Sequence, residues 1–210
     1  MFLKFCGFRR EEDVEYAAAL PLSAMGFIFY KKSKRYITPE RARELGSILV
    51  GTGIKKTGIF VNDSVEDIKR IADTAELDIV QIYDRTMEAE LSKERQVILC
   101  HRISGKKDMK EVTPPEKKGN LLLFDAKSGD GYGGTGHSFD WSLLNDYKYL
   151  DRLIIAGGLN YTNVGTLLKS VTPYGIDLSS GIEISPGIKS REKIDEIMIK
   201  IKEATDGKSA

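Results

Sequence analysis

A chain of 210 residues with 32 Lys+Arg against 31 Asp+Glu carries a formal net charge of +1, which excludes a global field directed at nucleic acid or an anionic membrane. Its 41% hydrophobic and 30% charged residues are ordinary for a soluble globular protein, and the length suffices for one domain with a sizeable core, expected over residues 1–204 with a disordered tail at 205–210. Two cysteines, Cys6 and Cys100, exclude a disulfide framework, no apolar stretch approaches the ~20 residues that span a bilayer, and the charged start MFLKFCGFRREED does not read as a signal peptide, so a reducing, cytoplasmic setting is expected.

Short apolar runs alternate with charged stretches of helical period. Residues 2–6 read as a strand and 10–19 as the helix after it; 24–29 is followed by a helix at 38–50, and 56–61 by one at 64–75. Thr38-Pro39-Glu40 places a cap before a proline at the first helical position, and Asn62-Asp63-Ser64 offers caps for the next helix. Strands follow at 78–82 and 96–103, then a charged stretch with two prolines, 104–119, which reads as a shortened or irregular helix plus loop. Strands at 120–125, 152–156 and 175–178 complete the set, with a helix at 160–169 between the last two. LLLFD and RLIIAGG are continuously apolar, as suits strands covered on both faces in a parallel sheet. Some eight strand-then-helix units in this length predict a compact (β/α)8 TIM barrel, a parallel eight-stranded barrel with outer helices; a doubly wound open sheet is the rival and needs fewer units.

In such a barrel the reactive groups stand at the C-terminal strand ends. Cys6 ends the first strand beside Lys4 and Gly7, facing a mouth that Arg35 makes electropositive, and such surroundings are expected to lower a thiol pKa and expose a thiolate base. The bland alternative is a buried core thiol, which is how Cys100 reads. Asp125 directly follows an apolar strand; partly desolvated there, it would have a raised pKa and serve as a general acid, unless it only caps a turn or pairs with Lys127. Gly157, Gly158, Ser179, Ser180 and Gly181 follow strands seven and eight, where barrels bind phosphate through main-chain N–H groups, and the glycine-rich 129–136 could close over the same end. With only His101 and His137, no histidine-rich metal site is expected.

KFCG at 4–7, GFIFYKKSKRYIT at 26–38, GIFVN at 58–62, LLLFDAKSGDGYGGTGHSFDW at 121–141, IIAGGLNYTNV at 154–164 and GIDLSSGIEISPGIKS at 175–190 together resemble the phosphoribosylanthranilate isomerases, over nearly the whole chain and in the right order. The resemblance implies a (β/α)8 barrel of tryptophan biosynthesis that carries out an Amadori rearrangement without a cofactor. It implies Cys6 as general base, Asp125 as general acid, Arg35 on the anthranilate carboxylate, and Gly157, Gly158, Ser179, Ser180 and Gly181 on the phosphate. Lys4, Asn62, Gln81, Tyr83 and Gly134 are expected to complete the pocket. One departure stands out: the family's QLHG-like segment here reads Gln81-Ile82-Tyr83-Asp84.

The related sugar-phosphate isomerase of histidine biosynthesis uses two aspartates, and Cys6 argues against it. A non-catalytic phosphate-binding barrel has the strand-four change as its hint, and a thiol redox or metal protein lacks both CxxC and ligand clusters. The expected partner is a phosphorylated small molecule, with no nucleic acid, membrane or metal involved, and the protein is expected to act as a monomer or homodimer.

Overall fold

The structure is a computed structural model that describes residues 1–126, 139–145 and 147–206. Eight strands, β1 (Phe2–Cys6), β2 (Ala24–Ile28), β3 (Lys55–Ile59), β4 (Ile79–Ile82), β5 (Gln96–Ile103), β6 (Leu121–Ala126), β7 (Leu153–Ile155) and β8 (Gly175–Leu178), form a closed barrel in chain order. Every neighbouring pair is parallel, and β8 closes on β1 with Lys4 opposite Asp177. The expected (β/α)8 barrel is therefore what forms, and the open sheet does not.

Period-two alternation decides which side chains enter the barrel. Ile79, Ile98, Cys100, Leu121, Leu123, Ile154 and Ala156 pack as one cluster inside it, while Leu3, Phe5, Val80, Ile82, Leu99, Leu122 and Phe124 join the larger core shared with the helices. Leu121 and Leu123 point inward, so Asp125 does too; Leu3 and Phe5 point outward, so Lys4 and Cys6 turn inward. The continuous apolar runs are thus two interleaved faces, each packed against its own core.

The outer layer holds α1 (Glu11–Ala18), α2 (Pro39–Ser47), α3 (Val65–Thr74), α4 (Glu88–Leu91), α5 (Lys106–Glu111), α6 (Val164–Ser170) and α7 (Arg191–Asp206). Thr38 caps α2 by accepting from the Arg41 N–H, and Ser64 caps α3 by accepting from Asp67 N–H. The stretch 104–119 keeps only the six-residue α5. The helix expected from 160 begins at Val164, because Asn160 and Asn163 spend their side chains on a turn: Thr162 N–H donates to Asn160 Oδ1 at 2.8 Å and Asn160 N–H to Asn163 Oδ1 at 2.9 Å. A two-stranded antiparallel ribbon, β9 (Glu183–Ser185) and β10 (Ile188–Lys189), follows β8. Helix α7 continues through Asp206, and residues 207–210 of the expected tail lie outside the described residues, as does the glycine-rich 129–136. Among the described residues no helix is long and apolar enough to cross a membrane.

Candidate active site

A cavity open to solvent lies at the C-terminal ends of the strands. Its walls include Cys6 from β1, Gln81 from β4, Asp125 from β6 and Asp177 from β8, with Arg35, Tyr83, Gly157, Gly158, Ser179 and Ser180 from the segments beyond. A few polar groups converge on it from several strand ends, as in a small-molecule site.

Cys6 is nearly sealed. Its β2 neighbour Gly26 makes the room: a Cβ there would stand 2.6 Å from the Cys6 Sγ. The expected lowering of the thiol pKa does not occur. Burial raises it, the Asp177 carboxylate adds to that, and together they outweigh the Lys4 and Lys189 ammoniums, although Lys4 also hydrogen-bonds the thiol. Lys4 itself lies beneath the cavity floor, wholly buried and not lining it; burial disfavours its charge, but Asp177 holds its pKa above the ordinary lysine value.

The Asp125 carboxyl is raised, the direction expected from its burial. Burial first, then the Asp177 charge, raises its pKa to about 6 against the pull of Arg102 and Lys4. A carboxyl held there retains a useful protonated fraction near neutral pH and can deliver a proton. The side chain of Asp177, within the strand expected at 175–178, also lines the cavity, although its place in that strand did not by itself mark it as a site residue. Its signal is the β8 period: Asp177 is two residues from Gly175, which pairs with Phe2 at the barrel seam.

Two glycines shape the opposite wall. Gly157, at φ +87°, leaves no space for a side chain, since a Cβ would lie 2.4 Å from the Ala126 main-chain nitrogen and 2.9 Å from Asp125 Oδ1. The Gly158 carbonyl accepts from Asn163 Nδ2 at 2.9 Å and Asn160 Nδ2 at 3.2 Å. Because the peptide is planar and trans, the Leu159 N–H points the other way. Ser179 and Ser180 sit where the 3₁₀ turn Ser180–Ile182 begins. Gly181 does not line the cavity; a Cβ there would come within 1.9 Å of the Leu159 carbonyl oxygen, so only glycine lets the two loops sit this close.

Arg35 lies over Gly7, where a Cβ would come within 2.7 Å of its Cδ. Its guanidinium is held by Glu183, with Nη2 donating to Oε2 at 2.7 Å. The sequence reading missed Glu183 and its partner Lys189, although IEISPGIK, an alternating run broken by Pro-Gly, carries a hairpin signal. Gln81 and Tyr83 line the cavity as expected, and Tyr83 shares a hydrogen bond with Cys100; burial and the neighbouring Cys100 and Asp125 push its phenol well above the ordinary value. Asn62 is not among the lining residues, and Gly134 lies outside the described residues.

A family profile described as N-(5'-phosphoribosyl)anthranilate (PRA) isomerase matches residues 3–200. The curated N-(5'-phosphoribosyl)anthranilate isomerase of Caldanaerobacter subterraneus is 40% identical over 202 residues, covering 95% of this chain and 97% of that protein. The chain belongs to this family. The crystal structure of phosphoribosyl anthranilate isomerase from Thermotoga maritima superposes with a TM-score of 0.83 at 33% identity, covering 98% of this chain and 99% of that one. A further isomerase, solved with reduced 1-(o-carboxyphenylamino)-1-deoxyribulose 5-phosphate bound, gives a TM-score of 0.80 at 31% identity, with 98% and 99% covered. Membership in the phosphoribosylanthranilate isomerase family accounts for the whole barrel rather than for one motif within it. Tyr83 at the end of β4 stays as the departure seen in the sequence, and here it faces the cavity.

Proposed function

We propose that this chain isomerises N-(5-phosphoribosyl)anthranilate to 1-(2-carboxyphenylamino)-1-deoxyribulose 5-phosphate in tryptophan biosynthesis, in the cytoplasm, with Asp125 as the acid and Cys6 as the base. The single observation that carries the assignment of roles is the pairing, in one cavity, of a buried carboxyl whose pKa is raised to about 6 with a buried thiol.

Protonated Asp125 gives its proton to the ribose ring oxygen, and the ring C–O bond breaks to leave a protonated Schiff base at C1. The iminium withdraws electrons from C2, so the Cys6 thiolate removes the C2 proton and an enolamine forms. Return of a proton to C1 and tautomerisation at C2 give the ketone. C2 is oxidised as C1 is reduced, so the rearrangement needs no external redox partner. The raised thiol pKa makes the thiolate scarce in the empty site, and the cationic Schiff base beside it favours the charged form when it is needed. Gly157, Gly158, Ser179 and Ser180 bind the phosphate, Gly181 seats their loops, and Arg35 takes the anthranilate carboxylate as a planar fork. Gln81 and Tyr83 wall the sugar. Lys4 acts from below, by fixing Asp177.

The test is loss of anthranilate fluorescence when purified protein meets phosphoribosylanthranilate without added metal or nucleotide. Folded protein that gives no acceleration over the spontaneous reaction would sink this reading.

A further inference from the structure

Arg35 reaches the cavity as part of a buried ionic cluster. Its Nε lies 3.0 Å from both Glu183 carboxylate oxygens and its Nη2 is 2.7 Å from Oε2. Glu183 is buried and does not line the cavity, so it stands behind Arg35 as seen from the site. The same carboxylate accepts from Lys189 Nζ at 2.9 Å and from the Gly187 N–H at 3.2 Å, both on the β9–β10 ribbon. Lys189 Nζ also donates to the main-chain carbonyl of Cys6, and its own N–H is fixed by Asp13 Oδ2 at 3.1 Å. Burial works against the Glu183 charge, but Arg35 and Lys189 hold its carboxyl below the usual range.

Two cations converge on one acid here. Glu183 alone would cancel Arg35 and leave little attraction for an anion. Lys189 adds a second cation against that carboxylate; burial lowers the Lys189 pKa, and the Glu183 charge works to keep it protonated. Two of the three guanidinium nitrogens are fixed from behind, which orients the planar fork and leaves its Nη1 side for a ligand.

We propose that Glu183 is a positioning residue for the substrate carboxylate, acting through Arg35, and that Lys189 holds the Glu183 carboxylate in place while tying it to the strand end that carries Cys6. The ribbon then sets the carboxylate fork and the base on one frame. This rests on the reading of Arg35 as the carboxylate ligand.

The experiment compares kcat/KM for phosphoribosylanthranilate with that for phosphoribosylaniline, which is the same molecule without the carboxyl. The proteins are the wild type, Arg35→Met, Glu183→Gln and the charge-balanced Glu183→Gln/Lys189→Met, which removes both members of the buried pair and guards against misfolding of the single variant. Wild type should prefer the carboxylated substrate, and Arg35→Met should lose that preference. Glu183→Gln and the double variant should each reduce it by about tenfold, the scale of one charge-assisted hydrogen bond, with little change toward the aniline substrate. Equal losses on both substrates would show a merely structural role and overturn the proposal. An intact preference in the folded double variant would do the same. Preference retained by Arg35→Met would instead overturn the carboxylate reading beneath it.

Discussion

Asp125→Asn should make the protein more stable while disabling it. The Asp125 carboxyl has a pKa of about 6 in the folded protein against about 3.9 in an unfolded chain. A carboxyl raised on folding favours the fold when protonated, so its penalty is absent below about pH 4, grows as the pH rises through 6 and is complete above it. Two pKa units correspond to about 3 kcal/mol at pH 7 and above. Asparagine keeps the shape and an oxygen for the Ala126 N–H that bonds the carboxylate, but cannot ionise. Thermal or urea unfolding from pH 4 to pH 8 should therefore show the variant gaining on wild type with pH, by up to about 3 kcal/mol or roughly 6–12 °C in Tm for a domain of this size. A stability difference that stays flat between pH 4 and pH 8 would refute the burial-raised carboxyl, and with it the reason for choosing Asp125 as the acid.

The pH profile of kcat/KM should be a bell whose acidic limb lies near 6, from Asp125, and whose alkaline limb lies above the ordinary thiol value of about 8.5, from Cys6. The reactive form, thiolate with carboxylic acid, is then a minor population that is constant between the two limbs, and Asp125→Asn should turn the plateau into a residual rate that climbs continuously through pH 6. An unchanged acidic limb in that variant would assign it to another group. Gly26→Ala pushes a methyl to 2.6 Å from the Cys6 Sγ, so it should cost about 1–3 kcal/mol of stability and lower kcat. Gly165→Ala in α6, whose added Cβ meets nothing within 4 Å, should instead gain roughly 0.5–1 kcal/mol with activity intact. Equal effects of the two substitutions on unfolding and kcat would show that the Gly26 gap does not serve the thiol.

The barrel was legible in the sequence because parallel strands covered on both faces leave apolar runs that need no partner to be recognised. The same period placed Asp125 inward, since Leu121 and Leu123 pack inside the barrel. Local turn chemistry was readable too: Thr38 and Ser64 cap the helices they precede. What stayed hidden depended on distant partners. Lys4 finds Asp177 173 residues away and Arg35 finds Glu183 148 residues away, and no local pattern announces either meeting. The direction of the Cys6 shift was hidden in the same way, because burial is set by the whole fold. A nearby lysine suggests a lowered thiol pKa, but the thiol's own burial is the larger cause and the Asp177 charge adds to it. Asn160 and Asn163 delayed α6 because their side chains satisfied the backbone in a turn that helical periodicity does not register.

The central claim is that the Cys6 thiolate removes the C2 proton. Single-turnover conversion of phosphoribosylanthranilate by Cys6→Ser tests it most directly, because serine keeps the size of the side chain and loses the accessible anion. The chemical step should slow by orders of magnitude while the reduced product analogue binds with nearly unchanged affinity. A Cys6→Ser protein that turns over at the wild-type rate would contradict the assignment.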